Sequence, residues 1–523
     1  MDSIELSLFA SRLEAVCDEM GAVLQQAAFS PNIRDRLDYS CAVFDPQGEL
    51  CAQAAHIPVH LGSMAYAMRD LVKCRTWSEG DMLVVNDPYR GGTHLPDVTL
   101  VAPVFSRGRC VGFIANRAHH ADIGADSPGS MPVGSRIEDE GLLIPPTLLV
   151  EGGEPVRAVL DGIIAATHNP VVTEGDFSAQ ISANRVGVKR VGALVSDYGE
   201  GRWLSGLGEI NTYGERMAKE ALTALPEGEY DFTDYMDDDG QGNRDIELRV
   251  KLTVQAGAVS VDFTGSAGQV EGNINCPLSV AAAAVFYVFR CLMDARTPAC
   301  AGSFRSIHIQ APQGCLLNAC APAAVAAGNV ETSSRVVDLV LGALAQAVPE
   351  RVAAASQGTM NNLAMGSRSG QGWDYYETIG GGMGAGITGG GLSGVQTHMT
   401  NTLNTPIEVL ESAYPLRIRR YALRKGSGGC GQVKGGDGLV REYEFLAAAE
   451  VTLLTERRTH APWGLAGGQP AAKGENLLNG RVLEPKTACS VVAGDRLEIR
   501  SPGGGGYGPA EMGGGRQTAN ILL

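Results

Sequence analysis

No Gly-Lys dipeptide occurs anywhere in the 523 residues, so a G-x-x-x-x-G-K-[ST] phosphate loop is impossible. No G-x-S-x-G elbow occurs either, which weakens a serine-hydrolase reading. Twelve cysteines are scattered without a single C-x-x-C pair, a pattern that fits reduced, mostly buried thiols in the cytoplasm better than a disulfide framework or structural zinc finger. Cys41, Cys51 and Cys110 lie in apolar strand contexts and are expected in the core. The longest nearly continuous apolar run, Leu278 to Phe289, is 12 residues, too short to span a bilayer. The first segment, MDSIELSLFASRLEAVCDEM, carries acids early and lacks a long apolar core, against a secretory signal. Positive charge is also in deficit. Forty-two Lys and Arg against 58 Asp and Glu leave a net charge of -16, which argues against a nucleic-acid partner.

What the chain has in excess is glycine, 68 residues of 523, nearly twice the usual share. No G-X-Y period accompanies it, so collagen is excluded and many turns and close backbone contacts are implied. A hydrophobic content of 44% supports a large interior. Length suggests about three domains. We divide the chain at 1–205, 206–355 and 356–523, an α+β, multi-domain arrangement with a metal-binding N-terminal region, a middle region of strands and helices, and a glycine-rich, β-rich C-terminal region.

Leu6, Phe9, Leu13, Val16 and Met20 repeat with helical spacing, predicting a first helix. A hairpin turns through Pro46-Gln47-Gly48, and Asp38 sits at the mouth of its first strand as an ordinary surface carboxylate would. Further helices are predicted over 62–73, 175–198 (with Asp176 near its cap), 211–225, 281–289 and 334–347, and strands over 246–254 and 258–263. DYMDDDGQGNRD fails the EF-hand template because Tyr235 stands where Asp is needed, so it reads as a solvated acidic turn. GAGITG at 384–389 matches a dinucleotide fingerprint only formally, since no helix follows. Nearby, Glu377, His398, Asn401 and Glu408 are candidates for a polar cleft.

The chemistry concentrates between Asp81 and Ser130. Three strand-like runs, 82–85, 98–104 and 110–115, end in turns packed with Asp, His and Asn. Five of the nine histidines, His56, His60, His94, His119 and His120, fall within residues 56–120. Gly91 and Gly92 permit a sharp turn, and Pro96 holds Leu95 extended, so His94 and Asp97 are presented from a stiff loop. Imidazole and carboxylate suit zinc or a similar ion. If strand geometry persists through His119 and His120, they face opposite sides and one alone ligates a given ion. Spacing leaves metal ligation and ordinary loop hydrogen bonding both open.

NDPYRGGTHLPDVTLVAPVF, AHHADIGADSPGSMP and EDEGLLIPP resemble the hydantoinase B family, the B-type subunits and domains of ATP-dependent hydantoinases and 5-oxoprolinases, with relatives in acetone and acetophenone carboxylases. The likeness continues through GDFSAQISANRVGVKR, VDFTGSAGQVEGNINCPLSV, AAGNVETSSRVVDLVLGALAQA, YYETIGGGMGAG, THMTNTLNTPIEVLE and SPGGGGYG. The resemblance implies that Asp38 joins His94, Asp97 and one of His119 and His120, with His119 favoured, around a divalent metal, zinc or manganese. It also implies that ATP is bound by a separate hydantoinase A-type subunit of a hetero-oligomer, which phosphorylates the carbonyl oxygen of a small cyclic amide. A carboxylase subunit and a non-catalytic scaffold are the alternatives. The purified chain alone is accordingly expected to hydrolyse no ATP and open no ring; turnover by a preparation shown free of partner would contradict the two-subunit reading.

Overall fold

The computed structural model describes residues 1–54, 57–369 and 372–510; His56, and the tail from residue 511 on, lie outside the described residues. A capping box at Asp2 and Glu5 starts a helix over Ser3–Ala27, and its buried stripe of Phe9, Leu13, Val16 and Met20 carries the 3.6-residue period of the sequence. This helix and a second over Pro170–Tyr198 cover one face of a seven-stranded antiparallel sheet. Its strands are β1 (Tyr39–Phe44), β2 (Leu50–Gln53), β3 (Met82–Val85), β4 (Asp97–Ser106), β5 (Arg109–His119), β6 (Thr147–Glu151) and β7 (Glu154–Pro155). They run in the order β2-β1-β5-β4-β3-β6-β7. The other face is covered by the helix Pro58–Leu71, which sets Met64, Met68 and Leu71 against Phe44, Val101 and Phe113. That helix lies unusually close to another over Leu278–Leu292. A Cβ at Gly62 would sit 2.5 Å from Ala283 Cα, so the crossing requires glycine on one side and alanine on the other.

Helix bodies follow the apolar period, whereas several starts lie earlier than expected, among them that expected from Ala281, which is at Leu278. The helix expected from Gly62 begins at Pro58, that from Gly175 at Pro170, and that from Asn211 at Glu200. Proline at the first helical position loses no hydrogen bond, so Pro58 and Pro170 begin helices instead of breaking them. Asp176 therefore lies inside its helix, and its Oδ1 accepts from Phe29 N at 2.8 Å and Ser30 N at 3.0 Å, pinning the exit of the first helix.

In the middle of the chain a four-stranded sheet runs Ile307–Gln310, Ala258–Asp262, Arg244–Gln255, Gly228–Asp238, backed by the helices Leu278–Leu292 and Ser333–Leu344. The acidic segment is a strand as far as Asp238 and an exposed turn from Gln241 on, so it is solvated only in its second half. Asp237 is buried and accepts from the backbone N–H groups of Arg458, Thr459 and His460, which explains how its charge is held inside. Cys41 and Cys51 are buried as expected, while Cys110, at the start of β5, is half-buried.

Two further sheets follow, one of four strands and one of five. Alongside them, glycines pack directly against backbone. A Cβ at Gly504 would lie 2.0 Å from Met383 O, one at Gly435 1.9 Å from Gly504 O, and one at Gly384 1.8 Å from Ala354 O. Gly384 belongs to this layer, whereas a Cβ at Gly386 would only touch Val352 O at 3.9 Å and one at Gly389 would meet nothing within 4 Å. Gly504→Ala is expected to destabilise the fold by at least about 1–3 kcal/mol, because the clash is with backbone. Gly208→Ala, in a helix with nothing within 4 Å of its added Cβ, is expected to raise stability by about 0.5–1 kcal/mol. Chemical denaturation of the two variants checks the contrast.

Candidate metal centre

The hairpin of β4 and β5 brings the first two groups together. In its register Asp97 pairs with His119 and Thr99 with Arg117, so these side chains share one face of the sheet. Arg117 secures the face by donating to Thr99 Oγ1 at 2.7 Å, Ser63 Oγ at 2.6 Å and Gly91 O at 2.9 Å. His94 comes in from the loop before β4, and its Nε2 lies 3.1 Å from Asp97 Oδ1. His119 Nδ1 donates to the same oxygen at 3.2 Å. One ligand atom from each of His94, Asp97 and His119 lies within 4.8 Å of the others, and all three residues are buried.

The supporting shell is drawn from across the chain. Thr93 Oγ1 donates to Asp97 Oδ2 at 2.8 Å, and Asn329 Nδ2 donates to it at 3.1 Å. Asn329 sits in a π-helical turn over Gly328–Thr332, a local distortion that recurs at functional sites. His94 Nδ1 donates to Ala326 O at 3.2 Å, which fixes its tautomer and leaves Nε2 as the inward atom. Ala326 is itself held, because Glu140 Oε1 accepts from Val325 N and Ala326 N, each at 2.8 Å. Burial pushes the Glu140 carboxyl up to about 8, so it is largely protonated at neutral pH. The ring of Tyr376 stacks on His119 with centroids 4.5 Å apart, and the Arg36 guanidinium lies over the same tyrosine ring at 5.1 Å.

His60, from the helix Pro58–Leu71, places Nε2 3.2 Å from Asp97 Oδ2 and 3.9 Å from Asp38 Oδ1. Asp38 lines the same small cavity of about 20 Å³, but lies outside the three-residue cluster. His120 is on the opposite face of the sheet, where its Nε2 lies 2.9 Å from Gln180 Oε1 and its ring meets Phe177. The geometry thus brings together His94, Asp97 and His119, with Asp38 at the wall and His120 away. His60, Asn329, Glu140 and Tyr376 were given no role from sequence. Each lies in a stretch already notable for its histidines or for its family resemblance; what was missing was the knowledge that these stretches meet.

Burial alone would raise the carboxyl of Asp97, but the imidazoles of His94, His60 and His119 outweigh it and hold Asp97 well below the usual carboxylate range. Burial pulls the His119 imidazole below its ordinary value, against its hydrogen bond to Asp97. His119 Nε2 is buried without a hydrogen-bond partner, as is His94 Nε2. Two imidazoles and an ionised carboxylate around room for one water-sized sphere fit a divalent transition ion. Next to this centre is a larger cavity of about 410 Å³, and Thr400 lines both. Of the four expected cleft residues, His398 and Asn401 line it. Glu377 is elsewhere, buried against Arg441 and Tyr443, and Glu408 is exposed on a short helix.

The fold built around this centre is shared with an ATP-dependent caprolactamase from Pseudomonas jessenii, with a TM-score of 0.91 at 28% identity over 97% of this chain and 91% of that one. An acetone carboxylase shares the fold alone, at 18% identity and a TM-score of 0.86. A profile of the hydantoinase B/oxoprolinase family matches residues 2–510, and the chain belongs to that family. Over 97% of its length it is 40% identical to 5-oxoprolinase 1 of Arabidopsis thaliana and 39% identical to the uncharacterized protein MJ0963 of Methanocaldococcus jannaschii. It spans 42% of the first and 91% of the second. The B component of a putative D-/L-hydantoinase from a Pseudomonas strain is 32% identical and covered over 90% of its length.

His119→Ala is expected to weaken metal affinity by more than about 100-fold, beyond the roughly 10–100-fold typical of losing an outer-shell partner. His120→Ala should keep the ion and cost about 1–3 kcal/mol by stranding the buried Gln180 oxygen. Metal analysis after dialysis, beside thermal unfolding, separates the two.

Proposed function

We propose that this chain is the metal-bearing B-type subunit of an ATP-dependent cyclic amide hydrolase. Its partner is a hydantoinase A-type subunit that binds ATP and phosphorylates the carbonyl oxygen of the substrate. The observation that carries the reading is the buried convergence of His94, Asp97 and His119 in a chain of this family. The caprolactamase at 28% identity supports cyclic amide chemistry, and a relative named as one subunit of a hydantoinase supports a separate partner. Zinc or manganese suits the donor set. Such a cation supplies hydroxide near neutral pH by acidifying water. The chain's own residues hold the geometry: Thr93 and Asn329 orient the Asp97 carboxylate, and Ala326 fixes the imidazole of His94.

A scaffold gains nothing from two imidazoles and a carboxylate held in a cavity, which favours a chemical role. A carboxylase subunit draws only on a shared fold. We place the complex in the cytoplasm, where twelve free thiols are stable. Among the described residues no helix is long and apolar enough to cross a membrane.

The test is His94→Ala in a complex reconstituted with the A-type subunit. Ring opening is expected to fall by more than about 100-fold, equivalent to about 3 kcal/mol of barrier, while ATP hydrolysis continues uncoupled. Product formed per ATP consumed is the readout, beside metal content. An unchanged rate and ratio with verified metal loss would overturn the metal-hydrolase reading in favour of a scaffold.

A further inference from the structure

The cavity of about 410 Å³ beside the metal centre is walled by Ala283, Phe286 and Phe304 and carries Gln396, His398 and Asn401 as polar groups. Its volume suits a small ring, bound mainly by apolar contact and oriented by a few polar atoms. His398 is held there in an unusual way. Its φ is +59°, in the left-handed region that is unfavourable for a non-glycine residue. Its Nε2 lies 3.3 Å from Asp338 Oδ1. Asp338 is fully buried and is clamped by Arg457 at 2.6 Å. Gly358 leaves room for that clamp, since a Cβ there would come 2.7 Å from Asp338 Oδ2 and 2.6 Å from Arg457 Nε. The ring of Tyr287 meets the imidazole edge-on at 5.8 Å. A carboxylate fixed behind a histidine that borders a cavity is the arrangement of an oriented proton carrier.

The two sites also share a support. The helix Ser333–Leu344 that carries Asp338 continues directly from the π-helical turn that carries Asn329, the donor to Asp97. Thr400, two residues beyond His398, borders the metal centre. Thr400 is thus common to the walls of the two cavities.

We infer that His398 is the catalytic group that delivers a proton to the departing ring nitrogen of a small cyclic amide in this cavity, with Asp338 as its positioning residue. This deepens the proposed function and rests on it. For a ring phosphorylated on its carbonyl oxygen, water adds across the C=N bond of the imidate, and the C–N bond then breaks with its electron pair going to nitrogen. The oxygen of the water stays on carbon and both of its protons end on nitrogen, giving an amine and an acyl phosphate that a second water hydrolyses. The imidazole of His398 accepts a proton released in the addition and returns it to nitrogen as the C–N bond breaks.

The experiment compares wild type, His398→Asn, His398→Gln and His94→Ala in the reconstituted complex. Asparagine is included because it tolerates the left-handed backbone. Two rings of equal size are offered, a lactam and a cyclic imide, whose nitrogen is the better leaving group because a second carbonyl stabilises it. The His398 variants are expected to keep their metal, to lose about 100-fold or more on the lactam, and to lose less than about 10-fold on the imide. Equal loss on both rings, no loss on either, or loss of the ion would overturn the role of His398 and leave the proposed function standing. Full activity of His94→Ala without metal would overturn the metal reading and leave the lactam-selective loss at His398 intact. If the wild-type complex opens neither ring, both fall together.

Discussion

The carboxylate of Asp97 is ionised although it is fully buried, and much of the surrounding fold answers that one charge. An isolated buried carboxylate costs several kcal/mol, so it persists only where donors and opposite charge surround it. Here the side chains of Thr93, Asn329 and His119 donate to it, and His60 and His94 lie within 3.2 Å of its oxygens. These groups come from a loop, a π-helical turn, a strand and a helix, so forming the site requires all four elements to be in place. The close crossing at Gly62 and Ala283 sets the helix that carries His60, and the hairpin register sets His119.

A second buried charge network joins the middle of the chain to its last third. Arg335 and Lys486 flank Glu456, and Arg457 bridges Asp234 and Asp338. Its members lie on strands of two different sheets (Asp234 and Lys486), on the helix Ser333–Leu344, and in the irregular segment after the strand Ala449–Leu454. Pairs of this kind contribute little net stability over an apolar core, but removing one partner strands the other. The network therefore makes the alignment of the two regions an all-or-none matter. It ends at His398, at the border of the larger cavity.

Much of the local structure was legible in the sequence. The runs that became β3, β4 and β5 carry apolar residues at strand length, and Gly91, Gly92 and Pro96 announce a stiff loop. The opposite facing of His119 and His120 follows from strand geometry alone, and they do occupy opposite faces. Helix starts were less legible, because the apolar period does not mark the first turn, where Pro58 and Pro170 stand at the first helical position. Long-range convergence was not legible at all. Asn329 meets Asp97 across 232 residues, and no local period encodes that meeting. Glu377 and His398, close together along the chain, belong to separate buried networks.

The glycine layer has a bearing on how the chain acquires its shape during synthesis. Gly503 to Gly506 lie against backbone around Met383, Ser427, Cys430 and Trp463. Until that late segment leaves the ribosome, these earlier glycine stretches lack the backbone they are built to touch, and as flexible chain they have the most freedom to lose. The amino-terminal sheet and its helices can consolidate first, as leading regions generally do. The glycine packing of the last third cannot be complete before the SPGGGG segment is available to it.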